Sequence, residues 1–132
     1  MIGLTIKAMN SGAKPYFSRK VSELQSGIDI NDEARTITGT LNYVTDYDLF
    51  NNKEKDHGNF LALNFSAEED VELKVALREN NGEYLIDPVV VSDGFCVFRV
   101  TSTEQKLVVI YTKGKDSGEV VYDLSGLTLK QS

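Results

Sequence analysis

A series of short apolar runs separated by hairpin-type turns, between residues 71 and 124, most strongly restricts the fold of this chain. The first run, residues 71–78, alternates apolar with mostly polar side chains, as a strand with one buried and one solvated face does. It ends at Asn80-Asn81-Gly82, where the residues tolerate the positive φ of a tight hairpin turn. The remaining runs are residues 84–91, 95–101, 106–112 and 119–124. We therefore predict a five-stranded antiparallel meander.

Two further strands are predicted upstream of this region. Residues 36–44 place Ile37, Leu41 and Tyr43 on one face and threonines on the other, a pattern that favours a pleated strand. Gly39 within this run predicts a bulge or the close approach of another backbone. Residues 60–65 form the second strand, and residues 46–59 are expected to be the longest polar connection.

The first 35 residues are harder to interpret. Residues 2–9 predict a first strand, residues 16–25 fit either a short helix or an extended arm, and the acidic residues 29–33 are expected to form a loop. We predict a single all-β domain, an antiparallel β-sandwich of residues 36–132, preceded by an N-terminal arm or first strand and loop in residues 1–35. The expected core residues are Leu61, Leu63, Val71, Leu73, Val75, Leu77, Phe98, Val100 and Val109.

The charge of the chain is unevenly distributed. Residues 1–22 contain four basic residues and no acidic ones, whereas the rest of the chain carries all 20 acidic residues and the other ten basic ones. Because phosphate contacts need clustered Lys and Arg, this acidic body argues against general nucleic-acid binding. There is no apolar run of about 20 residues and no visible signal sequence, so we expect no membrane partner and synthesis in the cytoplasm.

The residue types of known catalytic and cofactor sites are sparse here. His57 is the only histidine, and no phosphate-binding or nucleophile-elbow motif is present. Cys96 lies in an apolar run and is expected to be a buried hydrophobic residue. We therefore predict no enzymatic activity and no bound cofactor.

No metal site is predicted either. The spacing Asp29-x-Asn31-x-Glu33 resembles the start of an EF-hand loop, but Ala34 and Thr40 stand where that loop needs Gly and Glu. A looser calcium site in acidic loops is the alternative, and its candidate ligands are Asp46, Asp48, Asp56, Glu68, Glu69 and Asp70.

Two parts of the sequence resemble known families. Residues 92–102 (SDGFCVFRVTS) followed by residues 106–111 (KLVVIY) resemble bacterial immunoglobulin-like domains, which commonly carry an Asp-Gly turn, an apolar strand, a Thr/Ser turn and another strand. Residues 58–63 (GNFLAL) and 122–127 (YDLSGL) are similar to segments of small virion-associated proteins of tailed phages. Both resemblances imply a rigid sandwich that is presented to other proteins or surfaces and does not catalyse a reaction.

We therefore expect a non-enzymatic structural or interaction domain, such as a phage or prophage virion component. Its partner would be a protein, either a second copy of the chain or capsid and tail proteins. The N-terminal arm would dock by adding a strand to a neighbour's sheet edge, unless it folds back as the first strand of its own domain. The residues expected to take part are Ile2, Leu4, Ile6, Lys7, Lys14, Tyr16, Phe17, Arg19 and Lys20. The alternative function is glycan binding by a tyrosine stripe, formed by Tyr43, Tyr47, Tyr84, Tyr111 and Tyr122.

Overall fold

The fold is an all-β sandwich, as predicted. A computed structural model describes residues 3–8, 25–48, 55–91 and 94–131, and these residues form ten strands and no helix. The strands are β1 (Thr5–Ala8), β2 (Gln25–Asn31), β3 (Thr36–Leu41), β4 (Tyr43–Asp48), β5 (Lys55–Ser66), β6 (Glu72–Arg78), β7 (Tyr84–Val90), β8 (Phe95–Val100), β9 (Lys106–Lys113) and β10 (Asp116–Leu129).

The strands are divided between two sheets. The six-stranded sheet has the order β2-β3-β10-β9-β6-β7, and the four-stranded sheet is built from β1, β4, β5 and β8. Alternate residues of both sheets point toward each other and form one apolar core, with Leu61 and Phe98 contributed by the smaller sheet and Leu77, Leu107 and Leu124 by the larger one.

The long strand β5 organises the smaller sheet. One edge of β5 pairs with β8 from Asn59 to Asn64, while the other edge pairs with β4 near Asn59 and with β1 near Leu63. Between β4 and β1 the backbone of Ala62 faces a gap. The carboxamide of Gln25 fills that gap, because its Oε1 accepts a bond from Ala62 N at 3.1 Å and its Nε2 donates to Ala62 O at 3.4 Å.

The predicted meander is wrong in one respect. The hairpins β6–β7 and β9–β10 are present and β6 pairs with β9, but β8 leaves this sheet and pairs with β5 in the other one. The sandwich is also not purely antiparallel, because β10 pairs with β3 in parallel. Alternation predicts that a strand has a buried face, but it does not specify the sheet or the neighbour.

Two loop predictions also need correction. The acidic segment 29–33 is not all loop, because β2 continues to Asn31 and only then turns, with Asn31 Oδ1 accepting bonds from the backbone N–H groups of Glu33 and Ala34. The polar connection predicted for residues 46–59 is shorter, since β4 extends to Asp48 and β5 begins at Lys55. The helix or arm expected in residues 16–25 lies outside the described residues except for Gln25.

The predicted core is largely confirmed. Eight of the nine expected core residues are buried, and Val71 is only partly buried against the same cluster. Gly39 is confirmed as a site of close backbone approach: its φ is 133°, and it lies opposite a bulge in β2 between Ser26 and Asp29. A Cβ at Gly39 would lie 2.9 Å from the Cα of Ile28, so only glycine fits there without movement.

The strand predicted within residues 2–9 is present as β1, and it pairs with β5 of its own chain. Ile6 is 3% exposed and belongs to the core, and Leu4 packs against that core. Residues 3–8 and 25–31 therefore belong to the same two sheets as the rest of the described chain.

Candidate interaction surface

The most unusual surface of the described residues lies on β7, at one edge of the six-stranded sheet. All four of its exposed large hydrophobic side chains are on this strand. They are Tyr84 (40% exposed), Leu85 (47%), Val89 (54%) and Val90 (48%). These four residues are called the β7 surface below. A cluster of exposed apolar side chains on a single edge strand often marks a site of protein contact.

Two irregularities in the pairing with β6 explain why apolar side chains emerge on both faces of β7. Val89 pairs with Val75 and Ile86 pairs with Leu77, so β7 has one more residue than β6 in this interval. The next pair joins Tyr84 to Arg78, so Leu85, between Ile86 and Tyr84, is a second extra residue in β7. Each extra residue reverses the alternation of the side chains. As a result Ile86 packs against the core, while the apolar residues at both ends of β7 reach solvent.

The free backbone edge of β7 is interrupted. Val91 N donates to Leu73 O at 3.0 Å and Glu79 N donates to Glu83 O at 2.7 Å, so antiparallel alternation turns the polar groups of Val90 and Tyr84 away from β6. Pro88 lies between these two residues and has no N–H group to donate. Bulges, proline and charge are the features that protect edge strands from continuous pairing. A partner at the β7 surface would therefore contact exposed side chains, and would not find a continuous row of free backbone hydrogen-bonding groups.

Charged residues surround the β7 surface. Glu83 and Asp87 are exposed, and Lys74 lies opposite Val90 in the register with β6. Arg78, opposite Tyr84, donates to Glu119 Oε1 on β10 at 3.3 Å. The apolar side chains are therefore bordered by carboxylates along β7 and by cations on β6.

Two ion pairs lie on the neighbouring outer face of the six-stranded sheet. Ala76 and Val108 point away from the core, yet both are completely buried. Arg78 lies opposite Lys106 of β9, and Glu119 lies opposite Ile110 of the same strand. Their ion pair therefore spans the position of Val108, which lies midway between these two β9 residues. Lys106 and Asp123 form a second pair at 3.2 Å in the next row. Among the described residues, the exposed large hydrophobic side chains are confined to β7.

A polar cluster elsewhere in the described residues supports the fold. Tyr122 is 0% exposed; its hydroxyl donates to Asp32 Oδ1 at 2.6 Å and accepts from Arg35 at 2.9 Å. Burial, followed by the bond to Asp32, raises the pKa of Tyr122 to about 12. Arg35 has a φ of 57°, and its carbonyl accepts a bond from Asp123 N. Because Tyr122 is inaccessible, this cluster fixes the β2–β3 turn onto β10 and cannot bind a substrate through its phenol.

The residues considered for catalysis do not come together. His57 is exposed on β5, whereas Cys96 is partly buried on β8, and burial raises the pKa of its thiol to about 11. A thiol with so high a pKa is a poor nucleophile near neutral pH.

The candidate calcium ligands are only partly described. In the part of the chain that the structure describes, no three His, Cys, Asp or Glu side chains are grouped as a metal site would require. Glu68 and Asp70 instead approach Lys113 Nζ, at 2.9 and 3.7 Å. The side chains of Asp46, Asp48 and Asp56 lie outside the described ones.

The tyrosines of the expected stripe whose side chains are described do not share one exposed face. Tyr122 is in the core, Tyr111 packs over Gly118 on the neighbouring strand, and Tyr84 lies on the edge strand β7. Tyr43 is on β4 in the other sheet, and the side chain of Tyr47 lies outside the described ones.

The expected arm residues have mixed outcomes. Ile6 is buried in the core of its own chain and the partly buried Leu4 packs against that core, whereas Lys7 is exposed on β1. Six others lie outside the described residues: Ile2, Lys14, Tyr16, Phe17, Arg19 and Lys20. Their docking role stays a prediction.

The β7 surface was not anticipated from the sequence. Residues 84–91 were interpreted simply as an apolar strand, and nothing in their alternation indicates an edge position. Pro88 was the available indication, because proline inside a strand is found almost only at edges or bulges.

The chain was compared with known proteins. No family model, curated protein or solved structure matches it. Among the described residues there is also no helix that is long and apolar enough to span a membrane. The function is therefore argued from the β7 surface itself.

Proposed function

We propose that this chain is a non-enzymatic structural or interaction domain that binds another protein through the β7 surface. The observation that carries this proposal is that all four exposed large hydrophobic side chains of the described residues lie on one edge strand. Taking a fully exposed Val or Leu side chain to complete burial contributes roughly 1.5–3 kcal/mol, and these side chains are already about half buried, so covering each one contributes about half of that. Four such side chains supply enough apolar contact for the centre of a small interface.

The mode of binding follows from the interrupted edge. A partner strand that paired along all of β7 would meet two bulges and would find no N–H group at Pro88. The partner is therefore held mainly by side-chain packing on Tyr84, Leu85, Val89 and Val90. Backbone hydrogen bonds would be limited to the ends of the strand, near Tyr84 and Val90.

The absence of catalytic chemistry is part of the proposal. It is supported by the separation of His57 from Cys96, by the raised pKa of the Cys96 thiol and by the burial of the Tyr122 phenol. The immunoglobulin-like assignment and the role in a virion are supported by the sequence resemblances alone. Residues 58–63 and 122–127, on which the phage resemblance depends, lie within β5 and β10.

The experiment is a binding assay with the proteins encoded beside this gene and with the chain itself. The wild type is compared with Leu85→Glu/Val89→Glu, which places two charges in the β7 surface, and with Lys115→Glu in the exposed β9–β10 turn as a control. We expect the double variant to lose binding by 100-fold or more and the control to bind as the wild type does. Binding that the double variant retains would contradict the proposal. Glycan binding that persists in this variant would favour the alternative function.

A further inference from the structure

We propose that the partner adds an extended strand to the free edge of β8 and thereby covers the core-facing side of β7. This inference rests on the proposed function, because it names how the partner of the β7 surface binds. Among the described strands, β7 and β8 are the outermost ones on the same side of the sandwich. The opposite side is joined by Gln25, which connects β2 at the other edge of the larger sheet to the far edge of β5.

Both ends of β8 lie over β6. Before β8, Val91 N donates to Leu73 O of β6, and three residues later Gly94 O accepts a bond from β5 in the smaller sheet. After β8, Gln105 Nε2 donates to Glu79 Oε1, just past the end of β6, at 3.2 Å. Neighbouring strands lie about 4.8 Å apart and facing sheets about 10 Å apart. One more strand beside β8 would therefore lie over β7.

The core-facing side of β7 is not fully covered. Val89 lies opposite Val75 of β6, so both side chains point to the core side of the sheet. Val75 is 2% exposed, whereas Val89 is 54% exposed. Ile86, opposite a buried leucine of β6, is also only partly buried. The cover over the larger sheet therefore ends between β6 and β7, where an added strand would bury Val89.

The free edge of β8 presents backbone groups that can pair with such a strand. Ala62 of β5 lies opposite Val97, and its N–H and C=O bond to Gln25 on the far side of β5. In an antiparallel ladder both residues of such a pair point their polar groups outward, so Val97, and Arg99 two residues later, direct theirs away from β5. The register of β8 with β5 is unbroken, β8 contains no proline, and no described strand pairs with its free edge.

The chemistry of the added strand follows from its alternation. Its residues opposite Cys96 and Phe98 point inward, toward Val89, and are therefore apolar. Its residue opposite Arg99 points outward. Arg99 is exposed and forms no ion pair with a described carboxylate, so an acidic residue is favoured at this position. The basic residues 1–22 of this chain contain no acidic residue, so we assign the strand to another protein.

The probe is a synthetic peptide, acetyl-TVEVTVT-amide, titrated calorimetrically into the full chain. We expect a Kd below about 1 mM, and binding up to about fivefold weaker when Lys replaces the Glu of the peptide. Val97→Pro should weaken binding about tenfold or more, because it removes an N–H that faces the peptide and does not bond to β5. Val97→Thr keeps that N–H and should bind as the wild type does. Val89→Glu should also weaken binding about tenfold or more, and Arg99→Glu should reverse the preference between the two peptides.

Hydrogen exchange in the free chain tests whether this edge is open. The amides of Val97 and Arg99 should exchange quickly, whereas that of Phe98, which faces β5, should be protected. The peptide should slow exchange at Val97 and Arg99 about tenfold or more. Protection of these two amides in the free chain would mean that the chain itself occupies the edge. Protection that increases with protein concentration would mean that a second copy does. Either result would overturn the inference.

The remaining outcomes separate this inference from the proposed function. A wild type that does not bind the peptide at about 1 mM would overturn the inference, and so would a folded Val97→Pro or Val89→Glu variant that binds normally. If Val97→Pro fails to fold, Arg99→Glu decides, because an unchanged preference between the peptides would overturn the inference. In each case the proposed function stands if another protein binds the wild type and is released by Leu85→Glu/Val89→Glu. If this double variant retains that protein, the proposed function itself fails.

Discussion

Gln25 shows how one side chain completes a sheet. Neither β4 nor β1 reaches the backbone of Ala62, and the carboxamide of Gln25 both donates to it and accepts from it, as a paired strand would. Gln25 is only 6% exposed, so without this side chain the peptide groups of Ala62 would be buried with no partner on that edge. A lone Gln in a polar segment gives no indication of such a role, because the gap exists only in the assembled sheet.

Replacing Gln25 should therefore destabilise the fold more than replacing an exposed glutamine does. We expect Gln25→Ala to lower the free energy of unfolding by about 1–3 kcal/mol, because it leaves a buried donor and a buried acceptor unsatisfied. Urea unfolding measures the change. The matched control is Gln131→Ala, which removes an exposed carboxamide and should have little effect. An equally small effect at both positions would show that water replaces the Gln25 amide.

Tyr122 provides a pH-dependent prediction. Its pKa is raised to about 12 in the folded chain, mainly by burial and by the bond to Asp32, whereas an ordinary tyrosine titrates near 10. Between pH 10 and 12 the unfolded phenol therefore releases its proton while the folded one retains it, so stability falls as the pH rises through this interval. The contribution is fully present below pH 10.

The measurement is thermal unfolding of the wild type and Tyr122→Phe between pH 8 and 12. We expect the phenylalanine variant to be less stable at pH 8 by about 1–2 kcal/mol, because the bonds to Asp32 and Arg35 are lost. Its stability should then fall less steeply above pH 10 than that of the wild type. Parallel curves for the two proteins would mean that Tyr122 does not titrate in this interval.

At the scale of strands, the sequence predicted which segments form strands far better than it predicted where each strand lies in the two sheets. Residues 71–78 and 84–91 correspond closely to β6 and β7, because alternation and the Asn-Gly turn are local properties. The transfer of β8 to the other sheet and the edge position of β7 depend on sheet order, which local patterns do not encode. The candidate interaction surface was missed for this reason.

The C-terminal strand shows a second limit. The predicted run ended at residue 124, whereas β10 continues to Leu129 and its last residues pair with β3 in parallel. In the structure Ser125 and Gly126 accompany an irregularity in the register, and a Cβ at Gly126 would lie 2.5 Å from the Thr38 methyl group. Glycine therefore permits a close strand contact here, where the sequence pattern suggested an end.

Gly39 tests the same principle at the edge formed by β2 and β3. Gly39→Ala should destabilise the fold by about 2–4 kcal/mol, because it combines a strained φ with a clash against the backbone of Gly27 and Ile28. Gly114→Ala is the control, since Gly114 also has a positive φ but has no neighbour within 4 Å. We expect the control to cost only about 1 kcal/mol. Similar unfolding free energies for the two variants would mean that β2 shifts to accommodate the methyl group.

At the scale of the whole molecule, the chain passes repeatedly between the two sheets. Strands β1, β4, β5 and β8 belong to one sheet, and the strands that separate them in sequence belong to the other. Residues 1–35 were interpreted as an N-terminal arm or first strand and loop that precedes the sandwich of residues 36–132. The charge difference that suggested this division is real, but it does not coincide with the packing, since Ile6 is as buried as residues far along the chain.

This arrangement predicts the effect of shortening the chain. A protein that begins at Asp29 lacks β1 and the Gln25 side chain, so it loses the buried Ile6 and leaves uncovered the part of β5 that pairs with β1 and Gln25. The loss of Ile6 should cost about 2–5 kcal/mol, and the loss of Gln25 about 1–3 kcal/mol. Together these approach the total stability of an ordinary domain, about 5–15 kcal/mol. We therefore expect a much lower urea midpoint and strong binding of a hydrophobic dye at 25 °C, whereas a chain that begins at Gly3 should behave as the wild type does. If the chain from Asp29 unfolded at the wild-type midpoint, residues 1–28 would be dispensable to the fold, and the interpretation of this segment as a docking arm would regain its support.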